Sequence, residues 1–217
     1  MIRFRDRAQA GARLAERLRQ LDLAAPVVLA LPRGGVGVAA PVAEALAAPL
    51  HVVVARKVRA PNNPEFAVGA VTATGPVLLH SSALKRLGLS HEDMAKEIEE
   101  QRREAERRVR AYQSESAEPT VAGRDVLVID DGLATGATAA AALSYLRGLE
   151  PASLRLAVPV GSAEACRRLD EACDEVICLH APYDFGAVSL WYAHFPQYTD
   201  QDVVELLREA RQRQVSG

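Results

Sequence analysis

Short runs of apolar, largely β-branched residues alternate along this chain with longer stretches of helical periodicity. The runs at 27–31, 50–55, 125–129, 154–160 and 175–179 have the length of strands. Their nearly unbroken hydrophobicity suits strands covered on both faces. Helical patterns follow at 36–48, at 136–147 and from Ser162 onward. Pro41 lies inside the first of these and marks either a kink or the true helix start. Strand and helix in alternation predict an α/β fold, with a mainly parallel central sheet and helices on both faces.

An excursion at about 58–118 interrupts this rhythm. Two short strands, 66–72 and 77–80, flank Ala73-Thr74-Gly75-Pro76, whose composition reads as a turn. Ser90-His91-Glu92-Asp93 resembles a helix-start capping box. The charged helix after it runs to about Tyr112, with a sparse apolar stripe of Met94, Ile98, Ala105, Val109 and Tyr112. A solvated helix laid on the domain surface is the plain reading of that stripe, and a dimer contact or a cover is the other. The stretch 113–123 is a polar linker. Asp6-Arg7-Ala8-Gln9 opens an amphipathic helix carrying Leu14, Leu18 and Leu21, and Thr199-Asp200-Gln201-Asp202 opens another carrying Val203, Leu206 and Leu207. Each apolar face needs a partner, so the two ends are expected to pack together beside the sheet.

The 217 residues suit one domain spanning 1–217, with a core at 24–180 that carries the insertion and a small hood built from 1–23 and 185–217. Hydrophobic residues make up 49% and the net charge is −2, which gives no basic excess for nucleic acid. No apolar run approaches the roughly 20 residues of a membrane span, so no membrane partner is expected. Three loosely spaced cysteines, Cys166, Cys173 and Cys178, fit neither a disulfide framework nor a zinc site, and point to a reducing cytoplasm. The histidines make no metal-ligand spacing.

The chemistry concentrates at 125–138. An apolar strand ends in Asp130-Asp131, and the small-residue loop Gly132-Leu133-Ala134-Thr135-Gly136-Ala137-Thr138 leads into an alanine-rich helix. Amides at a helix N-terminus favour an anion. Gly136 permits close approach, and the Thr135 and Thr138 hydroxyls add donors. The loop is neither a Walker A loop nor a Rossmann fingerprint. Two adjacent carboxylates repel a phosphate and each other unless hydroxyl donors or a cation use them. One ligand meets both demands if it carries a phosphate at one end and a diol or bound magnesium at the other.

The segment Val128-Ile129-Asp130-Asp131-Gly132-Leu133-Ala134-Thr135-Gly136-Ala137-Thr138 resembles the phosphoribosyl-pyrophosphate (PRPP) motif of type I phosphoribosyltransferases. The resemblance implies a type I fold in which Asp130 and Asp131 hold the ribose hydroxyls, and magnesium through them or through water. Ala134, Thr135, Gly136, Ala137 and Thr138 then wrap the 5-phosphate. The Phe-Arg-Asp-Arg start, the Leu-Pro-Arg-Gly-Gly loop, the Asn-Pro-Glu-Phe-Ala stretch and the Phe-Pro-Gln tail resemble a less characterised bacterial group within that family.

Further residues gain roles from the same resemblance. Arg33-Gly34-Gly35 follows the first strand and offers a guanidinium fork and open amides to pyrophosphate. The family often has a cis peptide here, expected between Arg33 and Gly34. Arg56 and Lys57 close the second strand, and Lys57 is the pyrophosphate and catalytic candidate. Asn62-Asn63-Pro64-Glu65-Phe66 falls where type I enzymes carry a closing loop, and Glu65 is placed to assist the acceptor or magnesium. Ala134 stands where hypoxanthine–guanine enzymes have an aspartate, which argues against that acceptor class. Trp191 and Tyr192 either stack on the acceptor or form the core of the hood. The implied reaction is magnesium-dependent transfer of 5-phosphoribosyl from PRPP to a nitrogen acceptor, a nucleobase or related small molecule, with release of pyrophosphate. A PRPP-binding regulator without transferase activity is the alternative, and a sugar-phosphate hydrolase a weaker third. The charged helix and the terminal helices offer surfaces for a homodimer.

Overall fold

In the computed structural model the elements run α1 (Arg7–Leu18), β1 (Pro26–Ala30), α2 (Gly34–Ala45), β2 (Leu50–Val52), β3 (Ala55–Ala60), β4 (Asn63–Thr72), β5 (Leu78–Leu79), α3 (Ser81–Leu87), α4 (Ala95–Gln113), β6 (Asp125–Ile129), α5 (Ala137–Arg147), β7 (Ser153–Val160), α6 (Ala163–Leu169), β8 (Glu175–His180) and α7 (Asp200–Ser216). The structure describes residues 3–61, 63–75, 77–113 and 120–216. Asn62, Pro76 and the linker stretch 114–119 lie outside the described residues, as does the side chain of Glu65.

Five parallel strands form the central sheet in the order β2-β1-β6-β7-β8. Successive side chains of a strand point to opposite faces, and the burial follows that period. Val28, Ala30, Leu127 and Ile129 join one apolar cluster with α1, α2 and α7. Val27, Leu29, Leu31, Val126 and Val128 join a second cluster with α5 and α6. The chain turns outward in both directions from the β1/β6 pair, the place in an open sheet where loops diverge and leave a crevice.

The helix starts read from sequence have the expected hydrogen bonds. Asp6 accepts from the Gln9 amide at 2.8 Å, and Gln9 Oε1 accepts from the Arg5 amide at 2.7 Å. Ser90 and Asp93 cap each other, with the Ser90 amide donating to Asp93 at 2.7 Å and the Asp93 amide to Ser90 Oγ at 3.2 Å. Thr199 and Asp202 repeat the arrangement. Pro41 neither starts nor ends α2, which begins at Gly34 and runs through it. There α1 crosses closely, because a Cβ on Gly11 would strike the Val38 carbonyl and sit 3.1 Å from Pro41 Cγ.

Other elements differ from the sequence reading. The second strand stops at Val52, and 55–60 belongs instead to a separate antiparallel sheet in the order β3-β4-β5. The strand expected at 66–72 begins earlier, so that residues 63–65, expected as loop, belong to β4, whose long pairing with β3 absorbs the turn-forming residues. Helix α3 escaped notice because its seven residues bury only Leu84. The terminal helices each pack on α2 rather than mainly on one another.

Helix α4 lies on the protein surface, as its sparse stripe implied. Met94 and Ile98 pack on the small sheet, while Ala105 and Tyr112 join the central core. Arg102 Nη1 donates to the carbonyls of Thr72, Ala73 and Gly75 at 3.1–3.3 Å, holding the end of the β4 strand. Tyr112 donates to Asp200 at 2.7 Å, which ties α4 to α7.

Candidate active site

The loops after β1 and β6 meet at the carboxyl edge of the sheet. Leu31 donates to the Ile129 carbonyl at 2.8 Å, so the two strands stay paired to their ends. A Cβ on Gly34 would overlap the Asp131 carboxylate. One on Gly35 would lie 2.7 Å from the Ile129 carbonyl and 3.3 Å from Asp130 Oδ1. Only glycines let the 33–35 backbone lie this close to both acids. A cis peptide is present here, but between Pro32 and Arg33, one bond before the place expected from sequence. Arg33 is exposed, in a helical conformation at the start of α2.

The 132–138 loop is fastened from below. Leu133 donates to Val160 at 3.0 Å, Ser162 donates through its amide to Leu133 at 2.8 Å, and Ser162 Oγ donates to the Ala134 carbonyl at 2.9 Å. Gly136 adopts φ +68°, a left-handed conformation that turns the chain into α5. A Cβ there would also meet Leu169 Cδ1 at 2.7 Å. Ala134 and Thr135 are exposed at the loop crest, and no side chain caps α5. Its first-turn amides therefore have no partner within the helix.

Asp130 and Asp131 are half-buried between these loops. Burial pushes the Asp130 carboxyl well above the usual range, and the adjacent Asp131 charge adds to it. Burial raises Asp131 too, against the opposing pull of Arg7. Arg7 was absent from the sequence reading of the site. It leaves α1 to donate from Nε to Asp131 Oδ2 at 2.8 Å and from Nη1 to the Pro196 carbonyl at 2.7 Å. The available signal was electrostatic. An arginine in a helix's first turn opposes the helix dipole, and α1 has no acidic residue there to offset it.

Three expected site residues are placed differently from the sequence reading. Lys57 is not at the end of a core strand. It sits within β3, opposite Ala70, because the chain leaves the central sheet at Val52. Among the described residues no hydrogen bond or ion pair joins it to the acidic pair. Trp191 and Tyr192 are packed rather than open to an acceptor. Trp191 stacks on Phe185 and donates to its carbonyl, and Tyr192 is 1% exposed. The Tyr192 hydroxyl donates to the Asp131 carbonyl at 2.6 Å, so it braces the acidic pair from behind. The aromatic-rich cluster they join includes Phe4 and Val160, the hood core that was the other reading of these residues.

Among the described residues no helix is long and apolar enough to cross a membrane. Residues 4–190 match the phosphoribosyl transferase domain. The crystal structure of TT1426 from Thermus thermophilus is 46% identical, with a TM-score of 0.85 over 96% of this chain and 99% of that one. A protein from Neisseria gonorrhoeae, solved with bound ppGpp, shares the fold at 15% identity and a TM-score of 0.52, over 97% of this chain and 96% of that one. Proteins in two strains of Mycobacterium tuberculosis that carry the provisional name phosphoribosyl transferase are 41% identical over 207 residues, or 95% of this chain. The chain spans 47% of the length of those curated relatives. With a domain match across most of its length and close relatives on the same fold, the chain belongs to the phosphoribosyl transferase family.

Proposed function

We propose that this domain transfers the 5-phosphoribosyl group of PRPP to a nitrogen acceptor and releases pyrophosphate. One observation carries the reading: the glycine-dependent packing of the 33–35 loop onto Asp131, beside the left-handed turn at Gly136. Open amides and paired carboxylates thus share one crevice. In this reading the amides of 134–138 and the Thr135 and Thr138 hydroxyls hold the 5-phosphate. Asp130 and Asp131 accept from the ribose hydroxyls. Gly34 and Gly35 present amides, and Arg33 a cation, to the pyrophosphate.

The donor set fits magnesium that arrives with its own oxygen ligands. It consists of two carboxyl groups, one of whose oxygens Arg7 already takes. Among the described residues no three His, Cys, Asp or Glu side chains gather into a metal site. Magnesium keeps several waters and binds through few carboxylates. When bound it would offset charge on the departing pyrophosphate. Asp130 and Asp131 would hold it through the ribose hydroxyls or water.

Catalysis is then placement and electrostatics. The bond from the anomeric carbon to the pyrophosphate oxygen breaks, and its electron pair leaves with pyrophosphate toward Arg33. Positive charge grows on the ribose ring beside the acidic pair. The acceptor nitrogen forms the new bond from the opposite face and loses its proton. The three unpaired thiols suit a reducing, cytoplasmic setting.

The test is calorimetric titration of PRPP with magnesium into wild type and the Asp130→Asn, Asp131→Asn double variant, with pyrophosphate release followed against purines, pyrimidines and small amines. The double variant should fold and lose PRPP binding. Unchanged binding would sink the assignment. Binding without pyrophosphate release for any acceptor would point to a PRPP-sensing protein instead.

A further inference from the structure

Two sequence features remain outside this scheme: the Phe4-Arg5-Asp6-Arg7 start and the Phe195-Pro196-Gln197 tail. They converge on one side chain. Residues 4 and 5 run beside the tail, with the Phe4 amide donating to the Trp191 carbonyl, Ala193 to Phe4 and His194 to Arg5, each at 2.8 Å. Asp6 caps α1 and so fixes Arg7 in the first turn. The Arg7 guanidinium is then enclosed. Its Cζ lies 3.8 Å from the centre of the Phe195 ring and 4.6 Å from that of Tyr198, and the residue is 5% exposed. Stacking on aromatic rings suits the weakly hydrated guanidinium better than an ammonium.

A buried arginine needs a counter-charge, and two adjacent half-buried carboxylates need a cation. Here each answers the other at 2.8 Å. We propose that Arg7 is a positioning residue for phosphoribosyl transfer. It holds Oδ2, and the Asp131 amide holds Asp130 Oδ1 at 2.8 Å, so that Asp131 Oδ1 and Asp130 Oδ2 are left for the ribose and its cation. The inference rests on the reading of this crevice as the PRPP site. It gives the N-terminal and tail motifs a shared task, as arm and aromatic sleeve of one built-in cation. The groups facing Asp131 are Asp130, Arg7 from α1 and the Tyr192 hydroxyl from the tail. Tyr198 faces Arg7, with Asp6 and Asp202 beyond it.

The experiment compares wild type, Arg7→Lys and Arg7→Met, all checked for folding by circular dichroism. PRPP affinity with magnesium is measured by calorimetry for each. Losing the charged hydrogen bond that holds Oδ2 should weaken PRPP binding by about tenfold or more in Arg7→Met, and Arg7→Lys should recover part of the loss. A folded Arg7→Met that binds PRPP as tightly as wild type overturns the proposal, as does an Arg7→Lys no better than Arg7→Met. If wild type does not bind PRPP, the reading of the site fails, while wild-type Arg7 Nε–H exchange still decides whether Asp131 holds the guanidinium; the same readout serves should Arg7→Met not fold. Exchange should be far slower than that of the exposed Arg17, and equal rates overturn the proposal.

Discussion

Three glycines give a graded test of how the phosphate loop is built, using the same substitution each time. Gly148 caps α5 at φ −67°, exposed, with its nearest Cβ contact at an ordinary 3.4 Å. Gly88 ends α3 at φ +65° with open space around it, and Gly136 combines φ +68° with the Leu169 contact. At Gly148 alanine only narrows the unfolded ensemble, which stabilises by about 0.4–1 kcal/mol. At Gly88 the left-handed conformation costs an L-residue about 1–2 kcal/mol, so after that offset the net loss is about 1 kcal/mol. At Gly136 the same strain is joined by displacement of Leu169, and overpacking adds about 1 kcal/mol at the low end of its range. The expected loss is about 2 kcal/mol, or a melting shift of roughly 4–8 °C for a chain this size. Urea unfolding of the three variants measures the series directly, and PRPP titration shows whether Gly136→Ala also weakens binding. If Gly136→Ala is no less stable than Gly148→Ala, the account of the turn is wrong.

The two acids should answer unequally when neutralised. A carboxyl whose folded pKa lies above its unfolded value loses stability as pH rises through that interval, so Asp130→Asn should make the protein more stable at pH 7 and leave it little changed below about pH 4. Burial raises the Asp131 carboxyl too, but Arg7 opposes it, so Asp131→Asn should shift stability the same way by less. Thermal melts across pH 3.5–8 decide, and a loss of stability at pH 7 in Asp130→Asn refutes the picture. Tyr192→Phe removes a buried donor from the Asp131 carbonyl and should cost about 1–3 kcal/mol; an unchanged urea midpoint would show that this bond supports nothing.

The parts legible in the sequence were those coded locally. Strand β6, the acidic pair, the loop after it and three reciprocal caps each lie within a few consecutive residues. Three other features depended on distant partners. Lys57 was misplaced because leaving the central sheet at Val52 depends on pairing with 63–72, a stretch dense in turn-forming residues. Arg7 was missed because its carboxylate is 124 positions away. Trp191 and Tyr192 carried equal chemical promise as stacking platforms and as packing, and only the neighbouring Phe4 and Phe185 assign them to packing.

The β1/β6 pair has a mechanical consequence. The helix that follows β1 covers one face of the sheet, and the helix that follows β6 covers the other. The crevice therefore opens where two covering layers separate, and a molecule gripped by both loops acts as a clasp across the sheet. Occupancy makes the layers on either side answerable to a single small object.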